Sequence, residues 1–129
     1  METIESRIMG LKISGNCCSQ LVAVIVGLDP IGEENESLVR ALRGLCMGMY
    51  AQSDCGALSG GACALSLHVS GQNLIGACRD LTAWFEGRFG SQKCRDIIGF
   101  GTSPALICMD VVKETCEKCF EILTDLDCL

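Results

Sequence analysis

The apolar residues of this chain recur at steps of three and four positions, the pattern of helices that bury one face. Two such helices are predicted, over residues 2–13 and from Cys17 to about Gly27. The second run is rich in β-branched residues and is also compatible with a buried strand. Its length and the preceding Asn16, a typical N-cap residue, favour a helix.

The helical pattern continues to the end of the chain. Further helices are predicted around residues 38–46, from about Cys55 to Val69, around 74–85 and over 92–98. A glycine-rich connector over 99–101 precedes a last helix, which starts at Pro104 and runs toward Leu126. Because no strand pattern survives, we expect an all-α fold, a compact single-domain bundle of about six or seven helices that spans residues 1–129.

Small residues form a stripe on the predicted fourth helix. Gly56, Gly60 and Ala64 occur at four-residue steps, so they fall on one helix face. Such a face allows another backbone to come close, and we expect the helix of Cys17 or Cys108 to do so.

The composition is that of a globular protein without affinity for nucleic acid. Of the 129 residues, 49% are hydrophobic and 20% are charged, enough apolar material for one core. The formal net charge of −6 would repel a phosphate backbone, and no basic run offsets it. We therefore expect no nucleic-acid partner.

The start of the chain does not resemble a secretory signal, because Glu2 and Glu5 follow Met1 where basic residues would be expected. The apolar run over 21–28 is too short to cross a bilayer. These features predict a cytoplasmic protein with no membrane insertion, in a compartment that keeps thiols reduced.

Cysteine is the outstanding residue type. The chain has 11 cysteines, an odd number that fits a disulfide framework poorly. They are Cys17, Cys18, Cys46, Cys55, Cys63, Cys78, Cys94, Cys108, Cys116, Cys119 and Cys128. Several thiols are therefore expected to serve metal or redox chemistry, with the others as small core residues.

Three cysteines fall in predicted first turns of helices: Cys17, Cys55 and Cys94. Unpaired backbone N–H groups and the helix dipole favour a thiolate there, so we expect depressed pKa values. Lys93 and Arg95 should strengthen this effect at Cys94. If these helix starts converge near Cys108, they would supply the thiolates that soft metals and iron–sulfur clusters require.

Other cysteines are ambiguous on the sequence alone. Cys116 and Cys119 form a Cys-x-x-Cys pair late in a helix, where both extra metal ligands and packed core residues remain open. Cys17 and Cys18 are neighbours whose side chains diverge on a helix, so one of the two is expected to be functional. The single histidine, His68, is expected to be a packed helix residue rather than a catalytic base.

Three segments resemble elements of a known family: NCCSQ over residues 16–20, CGALSG over 55–60 and RFGSQKCRDIIG over 88–99. With Cys108 following, the set looks like the C-GCAxxG-C-C family of redox-active bacterial proteins. The resemblance implies a small helical protein with a redox or metal role and no assigned substrate. Its four signature cysteines correspond here to Cys17, Cys55, Cys94 and Cys108.

The leading hypothesis is a redox-active protein in which Cys17, Cys55, Cys94 and Cys108 bind an iron–sulfur cluster or another metal, with Cys116 and Cys119 as extra candidates. An alternative is a thiol-disulfide or persulfide-handling enzyme, with Cys55 and Cys94 as the catalytic candidates. A third is a helical scaffold with cysteines as core residues. Electron transfer implies a redox partner protein, and a homodimer is a further expectation.

Overall fold

The structure is a computed structural model that describes residues 2–98 and 105–129, with the side chains of the last helix described from residue 108 onward. The described residues form seven α-helices and no strand, which confirms the predicted all-α class. They are α1 (Ile4–Ile13), α2 (Cys18–Val22), α3 (Glu36–Ala41), α4 (Gly56–Ser66), α5 (Gly71–Phe89), α6 (Cys94–Ile98) and α7 (Ala105–Asp125).

The β-branched run is helical, as predicted over the strand alternative. α2 continues into a π-helical segment, Ala23–Leu28, and a short 3-10 turn, Asp29–Ile31. The helix begins one residue later than expected, with Cys17 as its N-cap. Asn16 is not the cap because its side-chain amide donates to the Leu11 carbonyl at 2.9 Å.

α4 lies at the centre of the bundle, and its small-residue stripe faces α2. A Cβ atom built on Gly60 would clash with the backbone of Ser19, so the two helices touch at main-chain distance. One turn further, a Cβ on Gly27 would stand 3.3 Å from the Ala64 Cα. The close approach predicted from the stripe is therefore confirmed, and the neighbour is the helix that follows Cys17.

The start of α4 differs from the prediction. Cys55 is the N-cap residue, so α4 begins one residue later than predicted. Asp54 forms an isolated antiparallel bridge with Lys93, the residue before α6. Extended backbone at the bridge leaves no room for an earlier helix start.

Residues 46–53 form a segment that we call the strap. α3 is shorter than predicted, and a 3-10 turn, Leu42–Leu45, leads into the strap. Four of its non-glycine residues adopt left-handed φ angles between 53° and 58°: Met47, Met49, Tyr50 and Gln52. Such angles are costly for residues with a Cβ, so the surrounding structure must hold the strap in place.

The predicted start of the last helix at Pro104 and the connector over 99–101 lie outside the described residues. Within residues 2–98 and 105–129, no helix combines the length and the apolar character that crossing a membrane would demand.

Candidate functional site

Four cysteines from four elements line one cavity of about 280 Å³. Cys18 begins α2, Cys55 caps α4, Cys94 begins α6 and Cys108 lies one turn into α7. The rest of the wall is mainly apolar, with one cation: Lys12, Met47, Gly56, Ala57, Ile97, Ile98 and Val111.

The bridge between Asp54 and Lys93 positions two of these cysteines. The Cys55 N–H donates to the Gln92 carbonyl at 2.8 Å, and the Cys94 N–H donates to the Ser53 carbonyl at 2.7 Å. These two bonds hold the starts of α4 and α6 side by side. Both cysteines are thus fixed through their own backbones, one residue beyond the bridge on each side.

Gly56 makes room for Cys18. A Cβ atom on Gly56 would stand 2.5 Å from the Cys18 sulfur and 2.8 Å from the Leu45 carbonyl oxygen. The glycine after Cys55 therefore serves the cavity directly, because any side chain there would displace the Cys18 thiol.

Burial raises the pKa of Cys55 to about 12, and repulsion from Cys18 and then Cys94 adds to the shift. The backbone N–H groups of Ala57 and Leu58 act in the opposite direction, as expected at a helix start. Desolvation outweighs them, so the depressed pKa predicted for Cys55 is wrong.

Cys94 and Cys108 follow the same rule. Burial raises the pKa of Cys94, and repulsion from Cys18 raises it further, so the depressed value predicted for Cys94 is also wrong. Burial likewise raises the pKa of Cys108, with smaller contributions from Cys18 and Cys94, while Lys12 lowers it. Cys18 thus acts on all three other thiols of the cavity.

Cys17, the fourth cysteine of the predicted set, does not line the cavity. It forms a disulfide with Cys46 in which the two Cα atoms are 5.9 Å apart, and the other nine cysteines are free. The physical reason is the helix start at Cys18, since consecutive side chains there point in different directions. The expectation of convergence is met for Cys55, Cys94 and Cys108, and the neighbouring Cys18 stands where Cys17 was expected.

Cys116 and Cys119 lie in the main core and not at the cavity. Both are fully buried on the face of α7 that packs on α4 and α5, and a Cβ on Gly61 would stand 3.3 Å from the Cys119 sulfur. Burial raises the pKa of Cys119 to about 12 and raises that of Cys116 as well. The structure therefore places these two as packed residues, not as extra ligands of the cavity.

Two further features bear on the chemistry. In the described ranges, no group of three or more His, Cys, Asp or Glu side chains is arranged so that it could hold a single metal ion. The His68 ring lies 2.8 Å from the Val26 carbonyl oxygen through Nε2, and His68 is absent from the cavity wall. The cavity thus offers four thiols and a lysine but no histidine base.

A family model described as "putative redox-active protein (C_GCAxxG_C_C)" matches residues 16–122. The chain belongs to this family. No curated protein and no solved structure matches it. The C_GCAxxG_C_C match covers all four cavity cysteines and also Cys17, so it supports a redox-active protein without deciding between the two neighbours.

Sequence reasoning missed Cys18, Lys12 and Met47 as parts of the cavity. The signal for Cys18 was the adjacent pair itself, which indicated one functional cysteine and did not say which. Lys12 and Met47 carried no signal, because they reach the cavity only through the end of α1 and the left-handed strap.

Proposed function

We propose that Cys18, Cys55, Cys94 and Cys108 hold an iron–sulfur cluster in the cavity and that the protein exchanges electrons with a redox partner protein. The observation that carries this proposal is the convergence of four thiols, each from a different element, on one mainly apolar cavity. Four cysteine ligands are the usual set for such clusters.

The electrostatics of the cavity support a cationic guest. Thiolates at Cys55, Cys94 and Cys108 would each be penalised by burial and repelled by Cys18, and Lys12 is the cation of the wall. A bound metal centre removes this penalty because thiols deprotonate on coordination. When bound, the cluster would supply the one-electron couple, and the apolar wall would limit the access of water to it.

A cluster fits the arrangement of thiols better than a single ion does. The described residues offer no three-ligand geometry around one ion. In a cluster each iron takes its own cysteine, so the four sulfurs need not point at one centre. Another thiolate-bound metal centre with several ions would meet the same requirement.

The enzymatic alternative, in which Cys94 attacks a disulfide or persulfide, has less support. Attack requires a thiolate, and burial raises the pKa of both Cys94 and Cys55. A cytoplasmic location belongs to the same proposal as the cluster, because free thiols persist in a reducing compartment.

Anaerobic reconstitution with iron and sulfide tests the cluster. We expect the wild-type protein to bind iron and acid-labile sulfide and to show visible absorption of sulfur-to-iron charge transfer. A protein that stays colourless and iron-free overturns the proposal. Equal iron content in wild type and Cys55→Ser would also overturn the proposal and would favour the scaffold interpretation.

The adjacent cysteines provide a matched pair of variants. Cys18→Ser should lose most of the bound iron, whereas Cys17→Ser should retain it, because only Cys18 lines the cavity. Cys63→Ser, a half-buried cysteine elsewhere on α4, controls for the loss of any thiol. Loss of iron in Cys17→Ser with retention in Cys18→Ser would reverse the ligand assignment.

A further inference from the structure

The Cys17–Cys46 disulfide joins the two chain segments that flank the cavity. Cys17 precedes Cys18, and Cys46 precedes Met47, and both following residues line the cavity wall. The disulfide therefore ties the first residue of the strap to the start of α2 at the edge of the site.

The strap carries several features that a tether must hold in place. Four non-glycine residues have left-handed φ angles, and a Cβ on Gly48 would clash with the backbone of Ser53. The buried Gln52 Oε1 atom has no hydrogen-bond partner within the described part of the chain. The left-handed residues and the unpaired acceptor are each unfavourable, so other contacts must stabilise this conformation.

The two cysteines of the disulfide differ in exposure. Cys46 is 2% exposed, whereas Cys17 is only partly buried. An external thiolate can therefore approach the Cys17 sulfur, with Cys46 as the leaving group. The Ser19 hydroxyl lies 3.4 Å from the Cys17 sulfur and 3.7 Å from the Cys46 sulfur, close enough to hydrogen-bond the thiol that leaves.

We propose that Cys17–Cys46 is a second redox site, a disulfide that exchanges with an external dithiol, and that its reduction releases the strap from the cavity. The disulfide exchange does not depend on the proposed function. Its role in controlling access to a cluster does rest on the proposed function. Met47, Met49 and Tyr50, each about half exposed on the strap, change their position when the tether is cut.

The step balances as ordinary thiol–disulfide exchange. One thiolate of the dithiol attacks the Cys17 sulfur, the Cys17–Cys46 bond breaks, and Cys46 leaves as a thiolate that takes up a proton. The second thiolate of the reductant then attacks the reductant's sulfur atom in the mixed disulfide, and Cys17 is released. Two electrons and two protons pass to the protein, and the reductant becomes a cyclic disulfide.

Differential alkylation of the metal-free full-length protein tests the proposal. Protein purified without reductant is divided, and one half is treated with dithiothreitol and desalted anaerobically. Both halves are labelled with N-ethylmaleimide over time, and each cysteine is quantified by peptide mass spectrometry. Reduction should increase the labelling rates of Cys55 and Cys94 by about tenfold, since local opening controls the access of a reagent to buried groups.

Internal and matched controls separate local opening from unfolding. Cys116 and Cys119 lie in the core away from the strap, and their labelling should not change. The double variant Cys17→Ser with Cys46→Ser should label quickly at Cys55 and Cys94 with or without dithiothreitol. The wild-type comparison stands alone if this variant fails to fold.

The inference is overturned if Cys17 and Cys46 are labelled before reduction, which would show that no disulfide is present. Unchanged labelling rates at Cys55 and Cys94 after reduction also overturn it. A parallel rise at Cys116 and Cys119 also contradicts it, because the whole fold would then have opened. Faster labelling together with failed cluster reconstitution leaves the disulfide site in place and removes the proposed function instead.

Discussion

The Cys55 sulfur lies beside the first backbone N–H groups of α4, and yet burial raises its pKa to about 12. A helix start contributes the partial charges of a few dipoles, whereas the loss of water affects the whole thiolate. Burial is also the largest contribution to the raised pKa values of Cys94 and Cys108. The backbone alone therefore does not stabilise the thiolates of this cavity. Whether these thiols are protonated depends on what binds there.

The raised pKa of Cys55 makes stability depend on pH. A thiol whose folded pKa exceeds its unfolded value stabilises the fold below the unfolded pKa, and this stability is lost as pH rises toward the folded pKa. The contribution of Cys55 to the free energy of unfolding of the metal-free protein should fall by about 2 kcal/mol between roughly pH 8 and pH 10. Urea titrations of wild type and Cys55→Ala should show a shallower dependence in the variant, and equal slopes would refute the burial argument.

At the scale of elements, the crossing of α2 and α4 sets the position of the cavity. Gly60 touches the Ser19 backbone, and Gly56 touches the Cys18 sulfur, so one glycine face fixes both the distance between helices and the place of a thiol. The adjacent π-helical segment, Ala23–Leu28, is buried along its whole length and extends the same contact to Ala64.

Gly60→Ala should destabilise the protein by about 2 kcal/mol, because the new methyl group meets backbone that cannot move aside. Gly76→Ala is the matched control: it lies within α5, and its Cβ would meet nothing within 4 Å. That change should stabilise the helix by roughly 0.5–1 kcal/mol. Urea unfolding compares the two variants, and equal effects of the same sign would show that the crossing tolerates a side chain.

At the scale of the whole molecule, one continuous core joins α1, α2, α4, α5 and α7. Phe85 and Cys116 lie within it, and ion pairs link α7 to two other helices: Lys113 to Glu5 of α1 and Arg88 of α5 to Glu114, both at 2.7 Å. These links lie at the surface and contribute little by themselves. The shared core is what should make the helices unfold together.

If the chain folds as one domain, as its sequence predicts, its unfolding transitions should coincide. Trp84, the only tryptophan, packs against the core from α5, so its fluorescence reports tertiary structure. Urea transitions followed by this fluorescence and by helical circular dichroism should superimpose. Phe85→Ala should shift both by the same amount, about 3–5 kcal/mol, whereas separated transitions would indicate more than one folding unit.

The sequence predicted the helices and the small-residue stripe because both depend on local periodicity. It could not choose between Cys17 and Cys18, since a shift of one residue in a helix start moves each side chain to another face. Nor did it indicate that Cys46 pairs with Cys17, because the strap that brings them together adopts left-handed angles at Met47, Met49 and Tyr50. Such angles arise from tertiary contacts, which leave no mark on the local pattern.

The four cavity cysteines are spread along the chain from residue 18 to residue 108. During synthesis Cys18, Cys55 and Cys94 leave the ribosome well before the first turns of α7. Until those turns are made, the cavity lacks Cys108 and the wall that α7 supplies. A ribosome-bound chain that ends before α7 can therefore present Cys18, Cys55 and Cys94 only as loose thiols, open to any oxidant or metal it meets. The site is completed only when α7 has been synthesised, so any cluster would be bound after that step.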